Sequence, residues 1–430
     1  MSIVERQRKH VFFPWSAQAE ASSIEIESAQ GVYFNIIGGL KVLDFSSHVF
    51  NACLGHSHYK IKDALAEYAQ RALVPLPNGI YEERALLGEN LARITPDAQF
   101  TGLTKSFICL SGAEANENAI KMAQLVTGRT KVMTRYRSYH GATLSALQYS
   151  GDYRRMPFDG MVNGIVRIPD FCTSQARPES LELLEELILA EGPETIACML
   201  LEGVVGANGV YLPIKNFWLQ VRNLCDKYGI ILIADEVMSG FGRTGKWFAV
   251  EHFGVTPDIM TLSKGLTAGY APLGAVIVNE KIASYFDHNK LWCGLTHYAH
   301  PLSCTVANAV IKAIEEEHLV DNSFQRGQEL ARGLQTLKKE MSFITDVRSI
   351  GLLAAIDLGK SSVNSGPFAK HRTSASNYAA QKLQNAFLKN GLYCVVRFDT
   401  VLLAPPLIIS AKEIEEGLSK IRKTLTQFFS

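Results

Sequence analysis

The rhythm of apolar and polar positions changes twice along the chain. Residues 1–60 carry turn signals and short alternating runs, VYFNI and KVLDF among them. From about 100 to 280, short apolar runs alternate with stretches of helical period. KSFICL (105–110) leads into Ser111-Gly112, and AEANENAIKMAQLV then has the spacing of a helix. KVMT (131–134), ACMLLE (197–202), IILIADE (230–236), IMTLS and GAVIV are further strand candidates. NFWLQVRNLCDKYG (216–229) is an amphipathic helix stopped by Gly229. Apolar runs of this length suit strands buried on both faces of a parallel sheet. After about 315 the pattern turns to a charged helix over 325–340, strand-like LLAAIDL, a helix over 375–390, strand-like LYCVVRF and VLLAPPLII, and a last helix near 411–428.

These elements predict an α/β protein. Residues 61–315 form a large unit around an open, mostly parallel sheet with helices on both faces. Residues 1–60 and 316–430 form a smaller α+β unit contributed by both termini. Ligands of such sheets sit at the carboxyl ends of the strands. Four places therefore face one crevice: Ser111-Gly112, Glu202, Asp235-Glu236 and Lys264.

Composition narrows the partners. A chain of 430 residues, 47% hydrophobic, favours more than one packed unit. Its 43 basic residues nearly balance 42 acidic ones, which argues against a nucleic-acid or anionic-membrane partner. Eight cysteines without a C-x-x-C pair read as reduced thiols. The first residues, MSIVERQRKHVFFPWSAQ, make a poor signal peptide because Pro14 interrupts a short apolar stretch. No run approaches the roughly 18 apolar residues of a membrane span. A cytoplasmic protein is expected. The His-x-His pair at His56 and His58 reads as a turn after a strand, and no metal is expected.

GFGRTG (240–245) is a formal G-x-G-x-x-G, and with Lys246 it approaches a phosphate loop. Trp247 stands where such a loop needs Ser or Thr for magnesium, and WFAVEHFG leaves room for little more than two helical turns. A tight loop anchored by Arg243 is the simpler reading, ahead of a nicotinamide or flavin site.

Asp235 and Lys264 carry the chemistry. A buried carboxylate needs a cationic neighbour, and a desolvated lysine becomes an amine nucleophile. Pyridoxal 5'-phosphate uses both: a lysine bonds its aldehyde, and a carboxylate keeps its ring nitrogen protonated. Its phosphate suits the N–H groups of Ser111-Gly112-Ala113 at a helix head. Gly265, Ala268, Gly269 and Ala271 would leave room for cofactor, substrate and movement of the lysine. A structural ion pair between Asp235 and Lys264 is the alternative.

SGAEANENAIKMA, YHGATLSAL, IADEVMSGFGRTGKWFA, PDIMTLSKGLTAGYAPLGAV, THYAHPLSC and LLAPPLIIS, in this order over most of residues 10–425, strongly resemble the class III (omega) aminotransferases. The resemblance implies the type I fold of pyridoxal-phosphate enzymes and a homodimer with sites at the interface. It makes Lys264 the cofactor-bonding lysine and proton carrier, and Asp235 the partner of the pyridine nitrogen. Val237 and Tyr139 would pack the two ring faces, His140 would stand beside them, and Gly112 and Ala113 would hold the phosphate. Thr296 would reach the phosphate from the second subunit. Arg397 matches an arginine that binds substrate carboxylate, and Glu202 an acid that pairs with it or contacts the cofactor. Trp15, Val49 and Phe50 align with pocket-wall positions.

The departures are Ala113 in place of Ser or Thr, Gly203 in place of proline, and the bulkier His297 and Tyr298. HVFFPWSAQ and SKGLTAGYAPLGA look most like members that move amino groups from omega-amino acids, taurine-like amino-sulfonates or simple amines to pyruvate or 2-oxoglutarate. An aminomutase, a racemase or a decarboxylating transaminase is the alternative on the same fold, and a nicotinamide oxidoreductase a remote one.

Overall fold

The computed structural model describes residues 1–95, 102–169, 180–359 and 378–429. Its strands are β1 (Ile26–Gln30), β2 (Tyr33–Ile36), β3 (Leu40–Asp44), β4 (Leu103–Cys109), β5 (Lys131–Arg135), β6 (Ile165–Ile168), β7 (Ile196–Glu202), β8 (Ile231–Asp235), β9 (Ile259–Leu262), β10 (Gly274–Asn279), β11 (Ile344–Ile350), β12 (Leu353–Leu358), β13 (Leu392–Tyr393), β14 (Val395–Arg397) and β15 (Thr400–Leu403). The central sheet has the order β4-β10-β9-β8-β7-β5-β6. Only β10 runs antiparallel to its neighbours β4 and β9; β5 to β9 pair in parallel. All seven residues of β7 and all five of β8 are buried, which explains their unbroken apolar runs.

The helices follow their sequence signals. Gly112–Thr127 starts at Ser111, whose hydroxyl accepts from Glu114 N–H at 3.2 Å, and stops at Gly128 in the left-handed conformation. Phe217–Tyr228 buries Phe217, Trp218, Val221, Leu224 and Cys225 and stops at Gly229, as the spacing predicts. The charged helix begins earlier than its charges suggest, running Leu319–Glu340. Gly327 lies inside it because an added Cβ would stand 2.4 Å from the Gly351 carbonyl oxygen. The helix predicted over 375–390 is Tyr378–Lys389, residues 375–377 lying outside the described residues. Among the described residues, no helix is long and apolar enough to cross a membrane.

Two smaller sheets flank the central one, β1-β2-β3-β13 and the antiparallel β11-β12-β15-β14. LYCVVRF, which reads as one strand, divides between them. Leu392–Tyr393 pairs in parallel with β3, and Val395–Arg397 pairs with β15. The switch is fixed by Ser46, whose hydroxyl accepts from Val395 N–H at 3.0 Å and donates to the Leu402 carbonyl at 2.7 Å.

The GFGRTG loop is a tie between the central sheet and these outer segments. Arg243 is buried, and its guanidinium donates to the carbonyls of Leu352 (3.2 Å) and Pro405 (2.5 Å) and to the Ser47 hydroxyl (3.2 Å). WFAVEHFG holds only the short 3-10 turn Ala249–Phe253, so no long helix opens from the glycines. Arg243→Met keeps the bulk and strands these acceptors. We expect it to lower stability by at least about 2 kcal/mol, measured as a shift in the urea midpoint at unchanged slope.

Candidate active site

A cavity of about 230 Å³ lies where β7, β8 and β9 end. Register places Glu202 directly beside Asp235 across β7 and β8, and Lys264 follows β9 by two residues. The helix head at Gly112 and Ala113 closes one side, and Tyr139, His140 and Val237 line the walls.

Asp235 is buried and held by three donors. Asn116 Nδ2 donates to Oδ2 at 2.8 Å, His140 Nδ1 lies 2.7 Å from the same oxygen, and Val237 N–H donates to Oδ1 at 3.0 Å. Asn116 is itself fixed, accepting from the Thr261 hydroxyl at 2.7 Å and donating to the His140 carbonyl at 2.8 Å. The His140 imidazole thus works behind Asp235, as a positioning group.

Lys264 has a left-handed backbone (φ 41°), a strained conformation for a residue with a side chain. Its Nζ lies 5.8 Å from the centroid of the Phe50 ring. Burial lowers its pKa, outweighing the opposing pull of Asp235 and Glu202. The two glycines after Lys264 are accounted for by packing. A Cβ on Gly265 would stand 2.8 Å from Phe241 Cβ, and one on Gly269 2.9 Å from Asn51 Nδ2. The space is filled by other segments of the chain, which lock the turn carrying the lysine.

Gly112 has a similar cause. A Cβ there would lie 2.9 and 3.0 Å from the two Val237 methyls. Val237 therefore packs on the helix head itself. Ala113 meets Gly141, where an added Cβ would come within 2.4 Å of Ala113 Cβ. The Ser111 hydroxyl is engaged as the helix cap. The first-turn N–H groups of Gly112 and Ala113 have no carbonyl one turn back.

Arg397 does not pair with Glu202. Its guanidinium donates to the Ala207 carbonyl at 3.0 Å and forms an ion pair with Asp152, which also takes Arg154 Nε at 2.9 Å. Glu202 accepts instead from the N–H groups of Tyr139 (3.0 Å) and Gly206 (2.8 Å), and burial raises its pKa. The helix that Asp152 caps packs on the end of β14, where Tyr153 meets Phe398 edge-on and Asp152 meets Arg397. Burial pushes Asp152 up, but Arg397 and Arg154 override it and hold the carboxyl below its usual range. Arg154 lies over the Tyr139 ring at 3.9 Å and the Trp15 ring at 4.8 Å.

Of the three pocket-wall positions, Phe50 is buried and reaches Lys264. Val49 is exposed within the single chain and stands off the cavity, because the kink at His48 turns it outward. Trp15 is exposed too and meets the site through Arg154. Thr296 is exposed in a turn and does not line the cavity of its own chain.

The model of the aminotransferase class-III family matches residues 15–425. The chain belongs to the class-III aminotransferases. It is 31% identical to the acetylornithine aminotransferase of Archaeoglobus fulgidus over 97% of this chain and 99% of that protein. It is 29% identical to the taurine–pyruvate aminotransferase of Bilophila wadsworthia, over 99% and 97%. Among solved structures, the taurine:2-oxoglutarate aminotransferase of Bifidobacterium kashiwanohense, in complex with PLP and glutamate, superposes with a TM-score of 0.92 at 35% identity, covering 98% of this chain and 96% of that one. The protein is thus a pyridoxal-phosphate enzyme of fold type I that moves an amino group from an amine donor to a 2-oxo acid.

Sequence reasoning missed three groups of this aminotransferase's site: Asn116, Asp152 and Arg154. Asn116 had a signal, an amide buried beside Ala115 and Ala119 in a mostly apolar helix. Asp152 caps the short 3-10 helix Tyr153–Phe158, accepting from Arg154 N–H at 3.0 Å, and that cap was the signal available for both.

Glu236, next to Asp235, faces away from the cavity. It accepts from the Ser239 hydroxyl (2.5 Å) and Val250 N–H (2.8 Å). It also accounts for Gly203, since a Cβ there would lie 2.8 Å from Glu236 Oε1. Burial raises its carboxyl from 4.5 to about 7. The folded aminotransferase therefore holds a proton that the unfolded chain releases, so Glu236 makes stability fall as pH rises from 4.5 to about 7. Glu236→Gln is expected to flatten that fall, read as the melting temperature across about pH 5–7.5.

Proposed function

We propose that this aminotransferase takes its amino group from a donor that carries an acidic group, an omega-amino acid or a taurine-like amino-sulfonate. We further propose that it delivers the group to pyruvate or 2-oxoglutarate. The carrying observation is the Arg154–Asp152–Arg397 cluster beside the cavity, two guanidiniums sharing one carboxylate. Arg154 lies near the Tyr139 and Trp15 rings, and its planar fork suits a carboxylate or sulfonate. The taurine aminotransferases among its relatives support the same reading.

The residues fit pyridoxal phosphate by their chemistry. When bound, the cofactor supplies a ring that draws electrons from the substrate's amino-bearing carbon. Lys264 would hold it through the aldehyde. Asp235, fixed by Asn116 and His140, would meet the ring nitrogen as a carboxylate. Val237 and Tyr139 would bound the ring, and the free N–H groups of Gly112 and Ala113 would take the phosphate. The Lys264 amine would also carry the proton at the substrate carbon. Burial lowers its pKa, which makes the amine a readier proton acceptor than a solvated lysine. Phe50 keeps water from the amine. We assign the working unit as a homodimer, in which the exposed Thr296 contributes to the phosphate site across the interface.

Two variants test the reading. Lys264→Ala should lower turnover by more than about a hundredfold; an unchanged rate would overturn the assignment of the base. Arg154→Gln should raise KM for taurine or beta-alanine about 10–100-fold, the size of one charged hydrogen bond, and leave KM for a plain alkyl amine in place. Equal losses on both donors, or a wild-type preference for the plain amine, would refute the acidic donor.

A further inference from the structure

The predicted His-x-His pair separates in the structure. His58 Nε2 turns to Glu317 at 3.3 Å, while His56 turns the other way, to Asp44. His48, from the kinked segment Ser47–Phe50, points at the same carboxylate. We propose that Asp44, His48 and His56 form a binding site for a first-row transition-metal dication of the zinc, cobalt or nickel kind.

The spacing approaches that of ligands around one ion. His56 Nε2 lies 3.2 Å and His48 Nε2 3.8 Å from Asp44 Oδ2, and the ligand atoms of all three side chains lie within 4.8 Å of one another. Bonds of about 2.0–2.2 Å to a tetrahedral zinc place neighbouring ligand atoms about 3.3–3.6 Å apart. The contact from His48 is too long for a hydrogen bond, yet its Nε2 is buried without any hydrogen-bond partner. An imidazole nitrogen aimed at a carboxylate, shut off from water and bonded to nothing, lacks what a cation between them would supply. Two imidazoles and one carboxylate select such a metal over magnesium or calcium, which take oxygen ligands.

The three side chains are held before any ion arrives. Asp44 ends β3, is wholly buried, and accepts from His48 N–H at 3.0 and 2.9 Å and from Ser46 N–H at 3.2 Å. His56 is fixed by paired backbone hydrogen bonds with Gly31 at 2.9 and 2.8 Å. The two imidazole rings stand 4.5 Å apart, and the Phe34 ring meets both edge-on. The His48 side chain is 35% exposed through its other atoms, while Nε2 itself is buried. His48 also has φ 54° and ψ −97°, a conformation that costs little only for glycine. A strained backbone here presents a ligand. The bound ion would brace the segment that continues through Val49 to Phe50, whose ring approaches Lys264.

The test uses the cofactor-loaded enzyme, stripped with a chelator and dialysed to equilibrium against zinc or cobalt, with metal analysis of the protein. The wild type is expected to retain about one ion per chain, with affinity lowered about tenfold or more in His48→Gly and in His56→Gln. His48→Gly suits the local backbone, and the two proteins stripped of metal should melt alike, so a lost ion is not a lost fold. Wild-type protein that retains no stoichiometric ion would overturn the proposal, and so would a His48→Gly variant that binds as tightly as wild type.

Discussion

The buried Asp235 carboxylate is the constraint around which the central sheet and its surroundings are arranged. Taking a carboxylate out of water costs several kcal/mol unless donors surround it. The donors come from three places: the helix Gly112–Thr127 through Asn116, the segment after β5 through His140, and its own chain through Val237 N–H. Thr261, in β9, orients Asn116. One anion therefore sets the helix, the Tyr139–His140 segment and β9 in register with β8. The same register brings Lys264, two residues beyond β9, to the cavity. Packing then completes what charge begins, since Phe241 and Asn51 occupy the places where Gly265 and Gly269 lack side chains.

Adjacent acids with different surroundings do different work. Asp235 is saturated by donors and faces the cavity. Glu202, one strand over, is tied to two backbone N–H groups and carries the rise in pKa that burial imposes. Glu236 is turned back into the loop that Arg243 anchors. In the outer cluster, Asp152 stays ionised because two arginines face it. The result is a cavity floored by carboxyl groups beside a cluster of two arginines sharing one carboxylate.

The strands of the central sheet were legible because burial on both faces writes an unbroken apolar run, as in β7 and β8. Their carboxyl ends could then be read as one crevice, which put Glu202, Asp235 and Lys264 together before any distance was known. What stayed hidden depends on partners far apart in the chain. Arg397 finds Asp152 across 245 positions, and nothing local distinguishes that partner from Glu202. LYCVVRF has one continuous strand pattern, yet its halves join different sheets, because a serine hydroxyl near residue 46 takes the N–H at the break. The small residues after Lys264 were visible, but what fills the space beside them was not.

The suture between the two ends of the chain has a consequence for how the molecule is made. β3 pairs with residues 392–393, and Ser46 and Ser47 donate to the Leu402 and Ala404 carbonyls. The segment between β3 and His56, including Phe50 beside Lys264, is thus shaped in part by residues about 350 positions away in sequence. Contacts that distant are slow to form, because a long loop must close first. The wall beside the lysine is therefore expected to order after the more local strand-helix-strand units of the central sheet.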